Sequence, residues 1–332
     1  MRVKTRWILL GLVFAGGCGV PEPGDLEGDG GELDAAAPPP GDAAPPPRDG
    51  AVSVDGSSAP SCRAGGVPGV CIDIATCAGT HTAGLCPGPA NIQCCTPRTG
   101  TVAMCDPAAM PTPNTGLTEA PGQGGCLPGM LRVAAFCVDR YEASLQLTTG
   151  AEWSPYWNPG TRAVRALSRA GAVPQGYING RQAAAACAAA GKRLCTDQEW
   201  LRACRGPTST TFPYGNTRMT GVCNDDRIKH PAVEYFGTSD PSVYGMIQHP
   251  CLNQLDHSVD PSGQRTGCVT TEGALDMMGN LHEWTADPAG TFRGGYYMDT
   301  TRNGPGCLYA TTAHDTSHWD YSTGFRCCAN PQ

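Results

Sequence analysis

Apolar positions along this chain fall into four regimes. Trp7 to Phe14 form a short apolar run behind Arg2, Lys4 and Arg6. Residues 19–60 have little that is apolar to bury and repeat proline, glycine, alanine and aspartate, with three consecutive prolines at both 38–40 and 45–47. From Ser61 to Thr96 apolar residues are isolated between cysteines, glycines and prolines. From Cys126 onward short apolar runs recur, such as Met130 to Val138, separated by turn residues. Helical signals are few. Asn179 is placed to cap a helix over 180–190, with Gln182 in the reciprocal position and Gly191 as the stop. The alanine-rich face of that helix carries Cys187. Thr196 and Glu199 form a second capping box, opening a short helix through Trp200 to Cys204. Long amphipathic repeats are absent. The pattern predicts an α+β, loop-rich main domain with low regular secondary structure.

These regimes set the organisation. The apolar run near the N-terminus is far short of the ~20 residues that span a bilayer. Ala15, Gly16 and Gly17 before Cys18 read as a lipoprotein-type signal peptide over 1–18, with Cys18 as the acylated anchor. Residues 19–60 read as a disordered tether with stiff polyproline stretches. Residues 61–96 form a six-cysteine module, residues 97–125 a linker, and residues 126–330 a main domain large enough for one sizeable core. The expected location is the bacterial cell envelope, at the outer membrane through the lipid on Cys18, or secretion.

The formal charge of −7 is uneven. Residues 19–60 carry nine acids against Arg48 alone, and residues 61–332 are left at a net −2. A nearly neutral body without a basic patch argues against nucleic acid as partner.

Of the 19 cysteines, 18 remain once Cys18 is set aside. That density predicts an oxidising compartment and a disulfide framework. Zinc would need paired C-x2-C ligand sets, and none occur. Cys62, Cys71, Cys77, Cys86, Cys94 and Cys95 must staple a module too short to build a core. Their pairing is open from sequence. Cys105 and Cys126 flank the connector and read as closing a loop across it.

The most informative strings lie in the main domain: Phe136 to Ser144, Ala190 to Leu194, Thr196 with Glu199 and Trp200, Phe212 to Gly215, Asp276 to Trp284, Arg293 to Gly295 and Gly324 to Arg326. In this order they resemble the formylglycine-generating enzyme, or sulfatase-modifying factor, family. The resemblance implies an irregular fold related to C-type lectin-like domains. The string from Gly69 to Cys95 resembles a small module of secreted cell-wall hydrolases, which implies a carbohydrate- or wall-binding accessory; an inert spacer is the alternative. Most matched residues serve a framework. Trp200 and Trp284 are expected in the core, Arg293 and Arg326 against acids, and Gly294 and Gly295 at unusual dihedrals. Asp139 and Glu142 are expected in an ion pair with Arg140 or another arginine.

The resemblance also implies chemistry. Residues matching the family's calcium ligands are Asp276, Gly279, Leu281 and Glu283, the middle two through carbonyl oxygens, which suits a hard cation. A second calcium site would begin at Asn224 and Asp225. The family's oxidase uses two cysteines six and eleven residues after the arginine, which bind Cu(I) and convert a substrate cysteine to formylglycine. Counting from Arg293 reaches Asp299 and Gly304, neither of which supplies a thiolate. Cys307 is the nearby cysteine that could take the second position, and pairing with Cys327 or Cys328 is the competing expectation. His314, Asp315 and His318 raise a mononuclear iron alternative. Hydrolase, metalloprotease, phosphate-loop and dinucleotide motifs are absent. The expected function is an exported, non-catalytic or divergent scaffold for a protein, peptide, glycan or cell wall. The alternatives are a copper-dependent formylglycine-generating oxidase working through Cys307 and a non-haem iron enzyme.

Overall fold

The computed structural model describes residues 60–64, 67–74, 77, 80–96 and 105–332. The expected leader, lipid anchor at Cys18 and tether lie outside the described residues. Among the described residues, no helix is long and apolar enough to cross a membrane.

The six-cysteine module is one antiparallel sheet. Its strands are β1 (Ser61–Ala64), β2 (Val67–Asp73), β3 (Thr80–Thr82) and β4 (Ile92–Thr96), ordered β1-β2-β4-β3. Cys62–Cys94, Cys71–Cys86 and Cys77–Cys95 choose one of the pairings that the sequence left open. Neighbouring strands bring these sulfurs together: Cys71 sits opposite Cys94 in the β2–β4 register.

The connector does not close on itself. Cys105 bonds Cys251, across 146 residues, and Cys126 bonds Cys137, which corrects the expected Cys105–Cys126 loop. Residues 105–125 lie on the main domain as a strap. Asn114 exchanges two hydrogen bonds with the backbone of Val173. Glu119 accepts from the Ser168 amide and from Lys192. The Trp157 indole donates to Ala109 O.

The main domain opens with β5 (Met130–Val133) and β6 (Phe136–Asp139), a hairpin that turns at Ala134, and continues with the pair β7 (Ala143–Leu147) and β8 (Val164–Ser168). Helix α1 (Gly180–Ala189) and helix α2 (Asp197–Arg205) flank β9 (Arg193–Leu194). Both helices carry the expected reciprocal caps, Asn179 with Gln182 and Thr196 with Glu199. Helix α3 (Pro231–Phe236) follows, then β10 (His282–Trp284), β11 (Phe292–Arg293), β12 (Ala310–Thr311), β13 (Thr323–Phe325) and β14 (Cys327–Ala329).

Two sheets position everything that matters. In the first, ordered β5-β6-β14-β9, the last strand enters between the first hairpin and β9. In the second, ordered β12-β11-β10-β13, β10 and β13 run parallel and bring Glu283 opposite Gly324. Disulfides fasten the helices: Cys187–Cys327 ties α1 to β14, Cys195–Cys328 ties the residues before α2 to β14, and Cys204–Cys307 ties α2 to the loop before β12. Cys223–Cys268 completes nine bridges among the described residues, a density that an oxidising compartment permits.

Trp200 and Trp284 are fully buried, each in a separate apolar cluster, as the sequence predicted. A third cluster, of Tyr177, Tyr235, Phe236, Val243, Tyr296, Tyr297 and Tyr321, was not legible in the sequence. Its residues come from several loops and show no period.

Candidate functional site

The parallel pairing of β10 and β13 sets Arg326 against Glu283. Both side chains are buried. Arg326 Nη2 donates to Glu283 Oε1 at 2.6 Å and Nε to Oε2 at 2.7 Å, while the Trp200 indole donates to Oε2 at 2.6 Å. The remaining guanidinium donors reach the backbone carbonyls of Asp139, Leu275 and Asp276. One arginine therefore ties together β6, α2, β10 and the loop before β10. Arg293, by contrast, makes a partly exposed pair with Asp197 at the start of α2. Gly294 and Gly295 both have positive φ, as expected.

Asp139 and Glu142 are both buried, and neither finds the expected arginine. Asp139 pairs with Lys192 at 2.7 Å and accepts the Cys327 amide at 2.9 Å. The reason is topological: insertion of β14 beside β6 and β9 carries Lys192 to Asp139. Glu142 accepts from Asn280 Nδ2 at 2.6 Å and from the Leu281 amide at 3.2 Å. Burial, then the charges of Asp276 and Glu283, hold the Glu142 carboxyl well above its usual range, against the opposing pull of Arg326. Asp276 is pushed up to about 7, chiefly by burial, despite the Gly263 amide at 2.6 Å and Arg326. Three buried acids thus lie around one guanidinium, and their surplus of negative charge adds to burial in raising Glu142 and Asp276.

Glu283, one member of the expected calcium set, is already engaged in this arrangement. Glu283 has both oxygens engaged by Arg326 and Trp200, so a divalent ion at ligand distance would lie against a buried guanidinium. Among the described residues, one group of three potential side-chain ligand atoms lies within 4.8 Å of one another: Cys62, Cys71 and Cys86. Cys71 and Cys86 are joined, so that group holds no thiolate pair for a metal. Gly279 shapes the turn. A side chain on Gly279, at φ 77°, would run into the Asn224 carbonyl oxygen. The Asn280 amide donates to that same oxygen at 2.8 Å.

Asn224 and Asp225 are buried and serve the same junction. Asn224 Nδ2 donates to Ser258 O and to Asn280 Oδ1. Asp225 accepts from Arg218 at 2.6 Å and from Thr300 Oγ1 at 3.0 Å. The two loops proposed for separate ions are thus locked to one another by their own side chains.

The stretch that would carry oxidase chemistry is likewise held by contacts of its own. Asp299 is buried, and one of its oxygens accepts from the Thr301 and Arg302 amides, which closes a tight turn. Its other oxygen, Oδ2, is buried without a partner among the described residues. Gly304 has φ 108° and packs on the Leu308 carbonyl. Cys307 is fully buried and bonded to Cys204, not to Cys327 or Cys328. While it is bonded to Cys204, Cys307 supplies no thiolate.

The histidines do not form an iron triad. The rings of His314 and His318 stack face to face, 3.7 Å apart and nearly parallel, so their nitrogens do not converge on one point. Asp315 is exposed and turned toward Ser317. His318 instead meets Asp320 at 3.0 Å. Burial works to raise the Asp320 carboxyl, but His318 and Ser322 outweigh it and hold it at about 2.

Sequence reading missed His282, Tyr309, Ser322 and Asp320. His282 lies 3.2 Å from Tyr309 Oη on one side and 3.2 Å from Ser322 Oγ on the other, and Ser322 donates to Asp320 at 2.8 Å. The available signal was the alternation on β10, which turns His282 and Trp284 to the side opposite Glu283. Among the described residues, the stretch after Arg293 offers no thiolate pair, since Cys307 is bonded to Cys204, and no group of three His, Cys, Asp or Glu ligand atoms converges there.

Residues 130–331 match the family model described as the sulfatase-modifying factor enzyme 1-like domain. Among solved structures, the chain is similar to PvdO from Pseudomonas aeruginosa at 14% identity and a TM-score of 0.36, covering 59% of this chain and 80% of that one. It is similar to the I1 variant of the Major Tropism Determinant at 13% identity and a TM-score of 0.37, covering 65% of this chain and 55% of that one. CarF matches at 14% identity and a TM-score of 0.34, over 62% and 88% of the two chains. At such scores these likenesses carry no weight beside the family match.

Proposed function

The chain belongs to the sulfatase-modifying factor enzyme 1-like family, and on that premise we propose that it is a divergent, exported member that binds rather than oxidises. Its role is a disulfide-stapled scaffold at the cell envelope that recognises a protein or peptide, a glycan or the cell wall. The observation that carries this reading is the Cys204–Cys307 bond, with Asp299 and Gly304 at the positions where the family's cysteines are expected. Cu(I) favours two soft thiolates, and neither position can provide one. Acylation of Cys18 would attach the scaffold to the envelope; intact mass of the exported protein tests this separately.

Two measurements test the scaffold reading. Thiol titration of the unfolded, unreduced chain should find no free thiol between Cys62 and Cys328. Incubation with a sulfatase-motif peptide, copper and oxygen should leave the peptide mass unchanged. Conversion of the peptide cysteine to formylglycine would defeat the scaffold reading outright.

A further inference from the structure

Two disulfides of the six-cysteine module lie side by side. Cys62–Cys94 joins β1 to β4, and Cys71–Cys86 joins β2 to the segment between β3 and β4. The sulfurs of Cys62, Cys71 and Cys86 all lie within 4.8 Å of one another. Gly69 makes this closeness possible. It sits opposite Cys62 in the β1–β2 register, and a Cβ there would come 3.1 Å from Cys94 Sγ. The strands that present these sulfurs are held in place. Alternation turns Val70 and Ile72 to the face of β2 opposite Cys71, and both pack with the aromatic cluster of the main domain. Arg63 of β1 forms an ion pair with Asp106 of the strap.

A second set of bonds fits the same strands without a change of register. The Ile74 amide donates to Asn91 O. The hydrogen-bonded pairs of β2 and β4 therefore fall at Ile72–Gln93 and Val70–Cys95, and Cys71–Cys94 is a non-hydrogen-bonded pair. Side chains of such a pair share a face, with Cα atoms ~4.5 Å apart, within the reach of a disulfide. Cys62 and Cys86 would then be left, and their sulfurs are already neighbours. Access to the four is uneven. Cys62, Cys71 and Cys94 are buried, whereas Cys86 is partly exposed next to the exposed Leu85.

We infer that these two bonds form an exchange pair, opened at Cys86 by a thiolate from outside the chain, so that the module switches between two disulfide sets. The entering thiolate attacks Cys86 Sγ, forms a mixed disulfide and releases Cys71 as a thiolate. Cys71 attacks Cys94 Sγ and releases Cys62. Cys62 then attacks Cys86 Sγ and returns the external thiolate. Three S–S bonds break and three form, so the external thiol is a catalyst and no oxidant is consumed. The products are Cys71–Cys94 and Cys62–Cys86. The segment carrying Cys86 thereby moves its anchor from β2 to β1, while Cys77–Cys95 stays as it is. Exchange is independent of whether the main domain binds or oxidises, and both sets leave the module without a free thiol.

The test uses the full chain with Cys86→Ala, which frees the Cys71 thiol beside Cys62–Cys94. The variant is held at about pH 8, where thiolate forms, then unfolded in acidic guanidinium with N-ethylmaleimide and digested without reduction by trypsin and thermolysin. The label should divide between Cys71 and Cys62, because formation of Cys71–Cys94 releases Cys62. Label on Cys71 alone, or on Cys94 in place of Cys62, would overturn the inference. Cys268→Ala is the control: it frees Cys223, whose cluster holds no other disulfide, and label should stay on Cys223. If Cys86→Ala does not fold, the unaltered chain decides. Catalytic reduced glutathione should produce a peptide cross-linked through Cys62–Cys86, with Cys77–Cys95 and the main-domain bridges intact. Absence of that peptide, or its appearance only together with scrambled main-domain bridges, would equally overturn the exchange pair.

Discussion

Replacing Glu283 by glutamine tests the centre of the fold and the calcium question together. The Glu283 and Arg326 side chains are 1% and 0% exposed. The substitution keeps the shape and removes the charge that faces the guanidinium. Removing one partner of a buried pair costs ~3–5 kcal/mol, because the remaining charge is left uncompensated. Two features place the expected cost at the lower end. Glu142 and Asp276 lie close enough to interact electrostatically with Arg326 and provide part of the lost charge. Three backbone carbonyls keep their hydrogen bonds to the same guanidinium. A loss of ~3 kcal/mol in a domain of this size lowers Tm by about 6–12 °C. Thermal unfolding followed by far-UV circular dichroism at pH 7, with and without millimolar calcium, reads this directly. The expected result is a drop of that size, insensitive to calcium or chelator. Glu283→Gln combined with Arg326→Met should recover part of the loss, since no buried charge then remains at the pair. A drop below about 2 °C for the single variant, or a chelator-induced fall in the Tm of the unaltered protein, would refute the argument that Arg326 serves as the cation at this turn.

The remaining predictions concern nearby residues. Asp276, raised to about 7, is protonated more readily in the folded chain than in the unfolded one, so its contribution favours folding fully below about pH 4 and is lost as pH rises through 7. Asp276→Asn should therefore stabilise the protein above pH 7, with the advantage vanishing near pH 4; destabilisation at pH 8 in a calcium-dependent manner would show that Asp276 is a ligand after all. Gly279→Ala should cost roughly 2–4 kcal/mol in chemical denaturation, from positive φ and overlap with the Asn224 carbonyl. Asn179→Ala removes one half of the α1 capping box and should cost about 0.5–2 kcal/mol by the same measurement.

Local chemistry explains which parts were readable in advance. Both capping boxes are contained within four consecutive residues, so Asn179 and Thr196 announced α1 and α2 without help from the rest of the chain. Trp200 and Trp284 could be assigned to the core from size alone. The partner of Asp139 could not be found this way. Lys192 lies 53 positions away and reaches it because β14, the last strand, enters between β6 and β9. The strap over 105–125 looked like a connector because it is rich in proline and glycine. Its anchors are a few hydrogen bonds, an ion pair and one disulfide to distant segments, which leave no periodic trace. His282 was overlooked for the same reason, since its partners Tyr309 and Ser322 arrive from segments 27 and 40 residues downstream.

By itself the sequence determined the family, the two helices, the disulfide-dense composition and the lack of a cysteine pair after Arg293, because each is a property of residue type or short spacing. Only the tertiary structure decided which cysteines join, that Glu283 answers to Arg326, and that the module's β2 seats on the aromatic cluster of the main domain. Those outcomes depend on the order of strands in a sheet and on loops meeting across more than a hundred residues. Such pairings are settled by the packing of the whole domain, in which one buried charge or sulfur can take only the partner that the topology brings to it.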